Sequence, residues 1–290
     1  MPQIIQFTHP GAEHRPDRGA SNRKSWNIDN HRRKFLVTKG KCVENGSLRS
    51  GELAFWGEWE PPSMVEKVLE AESPYHPKWI HRPYLPEVIP DPIQDGVPYQ
   101  NTDPFVFGDA FRYFVCKQFR VNQKIVTALS RLEKGALILF GSTVHQNTPD
   151  AFFQLDTVFV VSDYVPYDAD DPDALSGQGL YRDIVYKMAF PTRTGFPLHL
   201  RMYRGATYED PVNGMYSFTP CRRWEGQPDS VFPRLPLKDE QYITNNLNSG
   251  PKISKASEEE VLSMWEKIVG LSRAAGYAEG VHFPMPPLRS

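Results

Sequence analysis

Proline is the residue that most restricts the fold of this chain. Twenty-seven of the 290 residues are proline, more than the 20 that are glycine. Because proline has a fixed φ and no backbone N–H, it is excluded from helix interiors and central strands. We therefore expect short regular elements joined by long, ordered connections. Hydrophobic residues make up 40% of the chain and charged residues 23%, which favours a packed core over disorder.

The apolar patterns indicate an α/β fold (mixed α+β) with a central, mostly buried sheet flanked by helices and with long proline-rich loops. Short apolar runs predict strands at 4–7, 34–38, 52–56, 135–142, 152–161 and 198–203. Helical spacing predicts helices at 64–72, 123–132, 180–190 and 257–276. The last begins at a capping box of Ser257 and Glu260 and packs on the body. Without repeats or a compositional break, we expect one domain over 1–290.

The net charge of −2 gives no overall attraction to nucleic acid or membrane. The charge is uneven, however, because the basic residues concentrate between Gly11 and Lys41. We interpret 11–33 as a basic surface segment that contacts phosphates, although ordinary surface patchiness is an equal alternative. The predicted phosphate contacts are Arg23, Lys24, Arg32, Arg33, Lys34 and Arg204. Arg204 belongs to a strand where Asp156 is an equally plausible ion-pair partner for the arginines.

Cysteine usage and hydropathy indicate a cytoplasmic protein. Cys42, Cys116 and Cys221 are odd in number, far apart and without a CxxC motif, which argues against a disulfide framework and a structural zinc site. Neither a signal peptide nor an apolar run of the roughly 18 residues that a membrane span requires is visible. We expect no membrane association, no cofactor, no metal and no obligate protein partner.

The motif with the most chemistry is FWGEWEPPS at 55–63. In an extended segment Glu58 and Glu60 point the same way, whereas Trp56 and Trp59 point to opposite sides. Indole rings beside a carboxyl can stack on a flat ligand and raise the pKa of the acid, which suits general acid or base catalysis. The alternative is a strand end with core tryptophans and with glutamates paired to surface arginines.

A second motif, NTDPFVFGD at 101–109, follows a proline-rich segment. We expect 73–104 to be an ordered functional loop, because it carries large side chains such as Tyr99. In the functional interpretation Asp103 is the carboxylate near the reacting carbon, Asn101 bonds the base or its sugar, and Phe105 lines the pocket. In the structural alternative Asp103 caps backbone N–H groups at a turn.

Two further segments offer polar groups. The buried strand at 135–142 ends in Ser142 and is followed by His145, at a strand end where ligands of α/β sheets bind. A lone histidine such as His145 is more often a surface or capping residue.

The segment HPGAEH at 9–14 holds two histidines and a glutamate, but its proline and glycine make a turn. It is more suited to positioning a ligand or phosphate than to binding a metal.

These motifs resemble those of the nucleotide-modification-associated domain proteins, which are small bacterial and phage proteins encoded beside DNA base-modification or phage-defence genes. The resemblance covers the first 160 or so residues, in HPGAEH (9–14), FWGEWE (55–60), NTDP (101–104), LFGS (139–142) and DTVF (156–159). It implies recognition of a modified base or nucleotide, as in the phage-defence DNA glycosylase that excises glucosylated hydroxymethylcytosine. The chain lacks the Gly-Gln-Asp-Pro-Tyr motif of uracil-DNA glycosylases, so its active-site pattern departs from the common one.

We therefore predict a DNA N-glycosylase, a hydrolase that flips a bulky modified base, leaves an abasic site and acts in anti-phage defence. Its predicted catalytic residues are Asp103, Glu58 and Asn101. Its predicted substrate contacts are Trp56, Trp59, Glu60, Tyr99, Phe105, Ser142 and His145. The alternatives are a binding protein or hydrolase for a free modified nucleotide or nucleoside, which the low net charge favours, and a carbohydrate-active hydrolase.

Overall fold

The computed structural model describes residues 2–70, 73–120, 125–171, 173–192, 195, 198–227, 230–239, 241–245, 247 and 249–289. The strands are β1 (Gln3–Thr8), β2 (Arg23–Lys24), β3 (Lys34–Glu44), β4 (Ser47–Gly57), β5 (Ser63–Val68), β6 (Trp79–Pro83), β7 (Leu85–Pro86), β8 (Arg112–Tyr113), β9 (Phe119–Arg120), β10 (Ile125–Val126), β11 (Leu137–Val144), β12 (Phe152–Asp168), β13 (His199–Gly205), β14 (Thr219–Arg223), β15 (Leu235–Leu237), β16 (Gly250–Lys255), β17 (Ala278–His282) and β18 (Leu288–Arg289). The α-helices are α1 (Pro92–Asp95), α2 (Lys187–Ala189) and α3 (Glu258–Ala274).

Two seven-stranded sheets organise the described residues. The first has the order β16-β1-β11-β12-β13-β8, with β15 also paired to β12, and the second has the order β17-β14-β4-β3-β6-β5-β2. In the second sheet β17 also pairs with β3, so that β3, β4, β14 and β17 form a closed ring. Most pairs are antiparallel, but β1 lies parallel to β11 and β3 lies parallel to β6. A bridge between Val158 and Phe218 joins the two sheets.

Both faces of the central strands are buried. Ile5, Leu36 and Ile138 belong to one hydrophobic cluster, and their chain neighbours Ile4, Phe35 and Leu137 belong to another. Because successive side chains of a strand point to opposite faces, each sheet contributes to both clusters. This two-sided burial accounts for the continuous apolar run of β11.

The strand predictions are confirmed, and the predicted helical covering is wrong. Residues 64–68 of the predicted helix 64–72 belong to β5, which pairs with β6 and β2. Residues 71 and 72 lie outside the described residues. In 123–132, residues 123 and 124 also lie outside them, and the rest holds β10 and a 3₁₀ turn at Ala128–Arg131. The predicted helix 180–190 is present, with a π turn at Arg182–Tyr186 before α2. Sheet therefore predominates in a fold that is broadly α+β.

The proline-rich segment 73–104 contains more regular structure than a loop, because β6, β7 and α1 lie within it. None of the helices among the described residues has both the length and the apolar character to cross a membrane.

The C-terminal helix α3 has the predicted capping box. The Ser257 hydroxyl accepts the Glu260 backbone N–H, and the Glu260 carboxylate accepts the Ser257 N–H. Val261, Trp265 and Ile268 are buried on one face of the helix, and Gly276 follows its end with a φ of 74°.

We expect Ser257→Ala to lower the free energy of unfolding by about 1 kcal/mol, because a helix N-terminal N–H loses its acceptor. Ser263→Ala is the matched control, since Ser263 lies exposed inside the same helix; alanine there should stabilise by a few tenths of a kcal/mol. Urea denaturation of both variants measures the difference. Equal destabilisation by the two substitutions would contradict the capping role.

Candidate functional site

The carboxylates of Glu58 and Glu60 follow β4 and lie inside the protein. As whole residues, Glu58 is 5% exposed and Glu60 is 0% exposed. Trp56 packs in one hydrophobic cluster and Trp59 in the other, so the predicted alternation of this segment is confirmed. Both glutamates contact His31, as expected of two residues on the same side of an extended chain.

Glu58 lies in a network of buried charges. Its Oε2 accepts a hydrogen bond from Arg33 Nη1 at 2.7 Å and lies 3.0 Å from His9 Nδ1. The guanidinium of Arg33 also donates from Nε to Asp156 Oδ2 at 2.7 Å, so one cation serves two carboxylates. Burial alone would raise the pKa of Glu58, but the charges of Arg33 and His31 hold it well below its ordinary value.

Glu60 is held by two imidazoles. Its Oε2 lies 3.0 Å from His14 Nε2, and its Oε1 lies 3.0 Å from His31 Nδ1. Burial opposes ionisation of Glu60, yet the hydrogen bonds from His14 and His31 lower its pKa to about 2. Burial likewise opposes the charge of His31, but the two carboxylates raise its pKa to about 10.

We call His9, His14, His31, Arg33, Glu58, Glu60, Asp103, Cys116 and Asp156 the buried polar cluster.

Asp103 has the structural role of the sequence alternative, in which it accepts backbone N–H groups at a turn. Its carboxylate accepts three backbone N–H groups, from Phe114, Val115 and Cys116. Burial raises its pKa to about 7 in spite of those donors. Because its buried carboxylate bonds these three backbone N–H groups, Asp103 ties the 101–109 turn to 114–116. This placement does not fit the predicted role beside a reacting carbon.

Cys116, His9 and Glu58 form a thiol–imidazole–carboxylate series. His9 Nε2 lies 3.2 Å from Cys116 Sγ, and His9 Nδ1 lies 3.0 Å from Glu58 Oε2. Such a series can activate a nucleophile when the thiolate is favoured. Here burial raises the pKa of Cys116 well above its ordinary value and lowers that of His9. The Cys116 thiol is therefore protonated, and we assign these three side chains a role in packing and not in nucleophilic catalysis.

Beside the buried polar cluster lies an open pocket of about 470 Å³, which we call the cationic pocket. Four cationic side chains line it, Arg15, Arg32, Lys78 and Arg234, together with the aromatic rings of Trp56, Tyr75 and Trp79 and the polar residues Glu13, Ser142, His145 and Gln154. Arg234 connects the pocket to the cluster. It donates to Ser142 Oγ at 2.6 Å, and its Nε lies 3.7 Å from Asp156 Oδ1.

Glu13 is the ionisable carboxyl of the cationic pocket. Its oxygens accept the backbone N–H groups of Lys78 and Trp79, at 2.9 and 3.1 Å from Oε1. Burial raises its pKa to about 7, against the lowering effect of those two donors. A carboxyl with this pKa is present in both protonation states at neutral pH, which suits proton transfer.

The cationic pocket brings together four of the predicted site residues, Trp56, Ser142, His145 and Arg32. Trp56 is only 4% exposed and the guanidinium of Arg234 lies 4.9 Å above its ring, so it offers little surface for stacking. The indole of Trp59 and the ring of Phe105 are core side chains at 0% and 1% exposure, which corrects their predicted contact with a ligand.

Other predicted residues lie apart from the cationic pocket. Tyr99 packs edge-on against Trp26 and donates to Asp95, and Asn101 is half-buried. Glu58 and Glu60 are enclosed in the buried polar cluster, and neither carboxylate lines the cationic pocket. The sequence alternative paired these glutamates with surface arginines; in the structure Glu58 pairs with the buried Arg33, and Glu60 contacts His14 and His31 instead.

The predicted phosphate contacts are divided between surface and core. Arg23 and Lys24 lie near Asp17, and Arg204 pairs with Asp109 at 2.9 Å. Arg33 and Lys34 are buried, which corrects their assignment to phosphates. Burial lowers the pKa of Lys34 to about 7, and its Nζ donates to the Pro61 carbonyl.

The basic surface segment 11–33 also forms a second pocket of about 420 Å³. Its basic residues are Arg15, Arg18, Lys24 and Arg32, of which Arg15 and Arg32 also line the cationic pocket. A surface with cationic side chains therefore extends from one pocket to the other.

Sequence analysis missed the histidine His31 and the arginine Arg234. The 9–14 segment was singled out for its two histidines and its glutamate, but no proton transfer was assigned to Glu13, which lines the cationic pocket. Asp156 was visible as a charge that interrupts an apolar strand. Such a charge requires a buried cation, but its partners Arg33 and Arg234 lie far away in sequence.

No protein-family model, curated protein or solved structure matches the chain. What the site does is therefore inferred from its geometry.

Proposed function

We propose that this chain binds one nucleotide in the cationic pocket and hydrolyses the N-glycosidic bond of a bulky modified base in DNA. The observation that carries the proposal is the joint presence of cations, aromatic rings and a proton-transferring carboxyl around one cavity. Its volume of about 470 Å³ lies in the range of small-ligand sites.

The lining suits a ligand that is both anionic and flat. Arg15 and Lys78 are exposed, so their charges are available to a phosphate, and Arg32 is half-buried beside them. Tyr75 and Trp79 are half-buried in the same wall and supply ring surface for a base. A neutral sugar would gain little from this charge, which disfavours the carbohydrate-active alternative.

Glu13 is the group we assign to the chemistry. In glycosidic hydrolysis the bond between C1′ and the base nitrogen breaks, and its electron pair leaves with the base. Protonated Glu13 gives its proton to the departing base. Water adds to C1′ and releases a proton that restores the carboxyl, so the reaction consumes one water and leaves an abasic site.

A base in DNA is reachable only after it leaves the duplex stack. The shared residues Arg15 and Arg32 make the cationic pocket continuous with the second basic pocket, where Arg18 and Lys24 lie. Flanking phosphates would follow this surface while the flipped nucleotide occupies the cationic pocket. Glucosylated hydroxymethylcytosine is the substrate we test first, in keeping with a cytoplasmic role in anti-phage defence.

A free modified nucleotide or nucleoside is the second candidate. The net charge of −2 favours it, since proteins that bind duplex DNA are usually more basic. The two candidates differ in salt dependence, because binding to a DNA backbone releases counterions and weakens steeply as salt rises.

The test uses the full chain with phage DNA that carries glucosylated hydroxymethylcytosine, and with unmodified DNA as the control. We expect release of the modified base, detected by mass spectrometry, together with alkali-labile abasic sites in the modified DNA alone. Binding to both DNAs should weaken with increasing salt. Release of base from free nucleotides, without salt-sensitive DNA binding, would favour the second candidate. Inactivity on every one of these substrates would overturn the hydrolase proposal.

A further inference from the structure

Two carboxylate oxygens converge on one imidazole nitrogen in the buried polar cluster. His31 Nδ1 lies 3.3 Å from Glu58 Oε1 and 3.0 Å from Glu60 Oε1. One nitrogen carries at most one proton, and that proton cannot point straight at both oxygens. Two buried carboxylates that face each other across a few ångströms also repel, so a cation at this point is favourable.

The outer oxygens of both glutamates are fixed by other groups. Glu60 Oε2 contacts His14, whereas Glu58 Oε2 contacts His9 and Arg33. Each glutamate therefore aims Oε1 inward and anchors Oε2 outward, which is how carboxylate ligands of metals are commonly oriented. Backbone N–H groups of Asp103 and Arg32 also approach the Oε1 atoms, at 3.1 and 3.4 Å. A carboxylate oxygen has two lone pairs, so each Oε1 can accept a second partner beside its backbone donor.

The spacing of the three inner atoms fits a coordination sphere. One ligand atom from each of His31, Glu58 and Glu60 lies within 4.8 Å of the other two. Metal–ligand distances of about 2.0–2.2 Å place neighbouring ligand atoms about 3.0–3.4 Å apart. The two nitrogen–oxygen distances agree with that separation.

We propose that His31, Glu58 and Glu60 bind a divalent transition-metal ion through one nitrogen and two oxygens. This ligand set suits zinc, cobalt or manganese, and its nitrogen disfavours calcium. His31 gives access from solvent because its side chain is 31% exposed, whereas both carboxylates are enclosed. The ion takes the place of the His31 proton and joins the segment before β3 to the end of β4.

The metal site lies beside the cationic pocket without being part of it. The Arg32 backbone N–H contacts Glu60, and the Arg32 side chain lines the pocket. A bound ion would thus fix the position of a pocket residue. The proposal is independent of the nucleotide chemistry, because metal binding is measured without any substrate.

The experiment treats the full chain with a chelator, removes the chelator, and titrates the protein with Co²⁺ and Zn²⁺. We expect one equivalent to bind, with a visible cobalt spectrum that has no thiolate charge-transfer band, since Cys116 is outside the ligand set. X-ray absorption of the zinc form should show nitrogen and oxygen ligands without sulfur. Failure of the wild-type protein to bind either ion, or sulfur ligation, would overturn the proposal.

Substitutions localise the site. His31→Ala should weaken binding by more than about 100-fold because it removes a ligand, and Glu60→Gln should weaken it because a neutral amide replaces a charged carboxylate ligand. His199→Ala is the matched control, because His199 is 82% exposed and pairs only loosely with Asp168 at 3.6 Å; it should bind like the wild type. Circular dichroism establishes that each variant is folded, and the wild-type spectra decide the question if a variant is not. Unchanged affinity in folded His31→Ala would contradict the assignment.

Discussion

Replacing Arg33 by methionine is expected to lower the free energy of unfolding by about 3–5 kcal/mol, as is usual when one partner of a buried ion pair is removed. Arg33 is 1% exposed and is the guanidinium that bridges Glu58 and Asp156, at 2.7 Å on each side. Without it, two buried carboxylates lose their principal cation. Asp156 is the more affected, because its Oδ1 has no hydrogen-bond partner and its contact with Arg234 is as long as 3.7 Å.

Arg204→Met is the control for this prediction. Arg204 also forms an ion pair, with Asp109 at 2.9 Å, but both side chains are about half exposed, at 51% and 57%. Solvent screens such a pair, so its removal should change stability by about 0–1 kcal/mol. Urea midpoints at neutral pH compare the two variants. A loss of less than about 1 kcal/mol in Arg33→Met would mean that the buried polar cluster rearranges to neutralise its own charges.

Glu13→Gln is expected to slow base release by about 100- to 10,000-fold, the usual contribution of a general acid. Glutamine retains the size of the side chain and one oxygen for the Lys78 and Trp79 N–H groups, but it cannot donate an acidic proton. Affinity for the modified DNA should therefore change little while the single-turnover rate falls. Glu209→Gln is the control, because Glu209 is exposed and lies outside the cationic pocket.

The pH profile follows from the same carboxyl. With its pKa raised to about 7, Glu13 is mostly protonated below that pH and mostly ionised above it. A general acid is active when protonated, so the wild-type rate should fall as pH rises through about 7. In Glu13→Gln this limb should disappear. A wild-type rate that instead rises through the same range would assign Glu13 as a base.

The strands were predictable because their apolar runs are local signals. Residues 135–142, for example, read as buried on both faces and form most of β11. The helix predicted at 64–72 was wrong because Val65, Val68 and Leu69 have helical spacing by coincidence. Pairing with the distant β2 and with β6 decides its conformation, and such pairing leaves no local mark.

The candidate site was predictable only in part. Alternation correctly placed Glu58 and Glu60 on one side, but it could not specify what they face. Their imidazole partner His14 lies 46 residues before Glu60, and His9 lies 49 residues before Glu58. The one-domain arrangement stays a prediction. The charged residue Asp156 inside the apolar strand β12 was the usable signal, because a buried charge requires a partner of opposite charge. Sequence spacing does not identify that partner.

The rims of the two sheets bear on self-association. Among the described residues, β17 pairs with both β14 and β3, so the ring of β3, β4, β14 and β17 leaves β17 without an unpaired edge. The edge strands β2 and β8 are only two residues long. The longer rim at β16 carries Pro251, Lys252 and Lys255. Proline withholds a ladder donor and lysine opposes docking of a second strand, so these borders are poor templates for strand addition. We therefore expect little edge-to-edge strand pairing between copies of this chain at these borders.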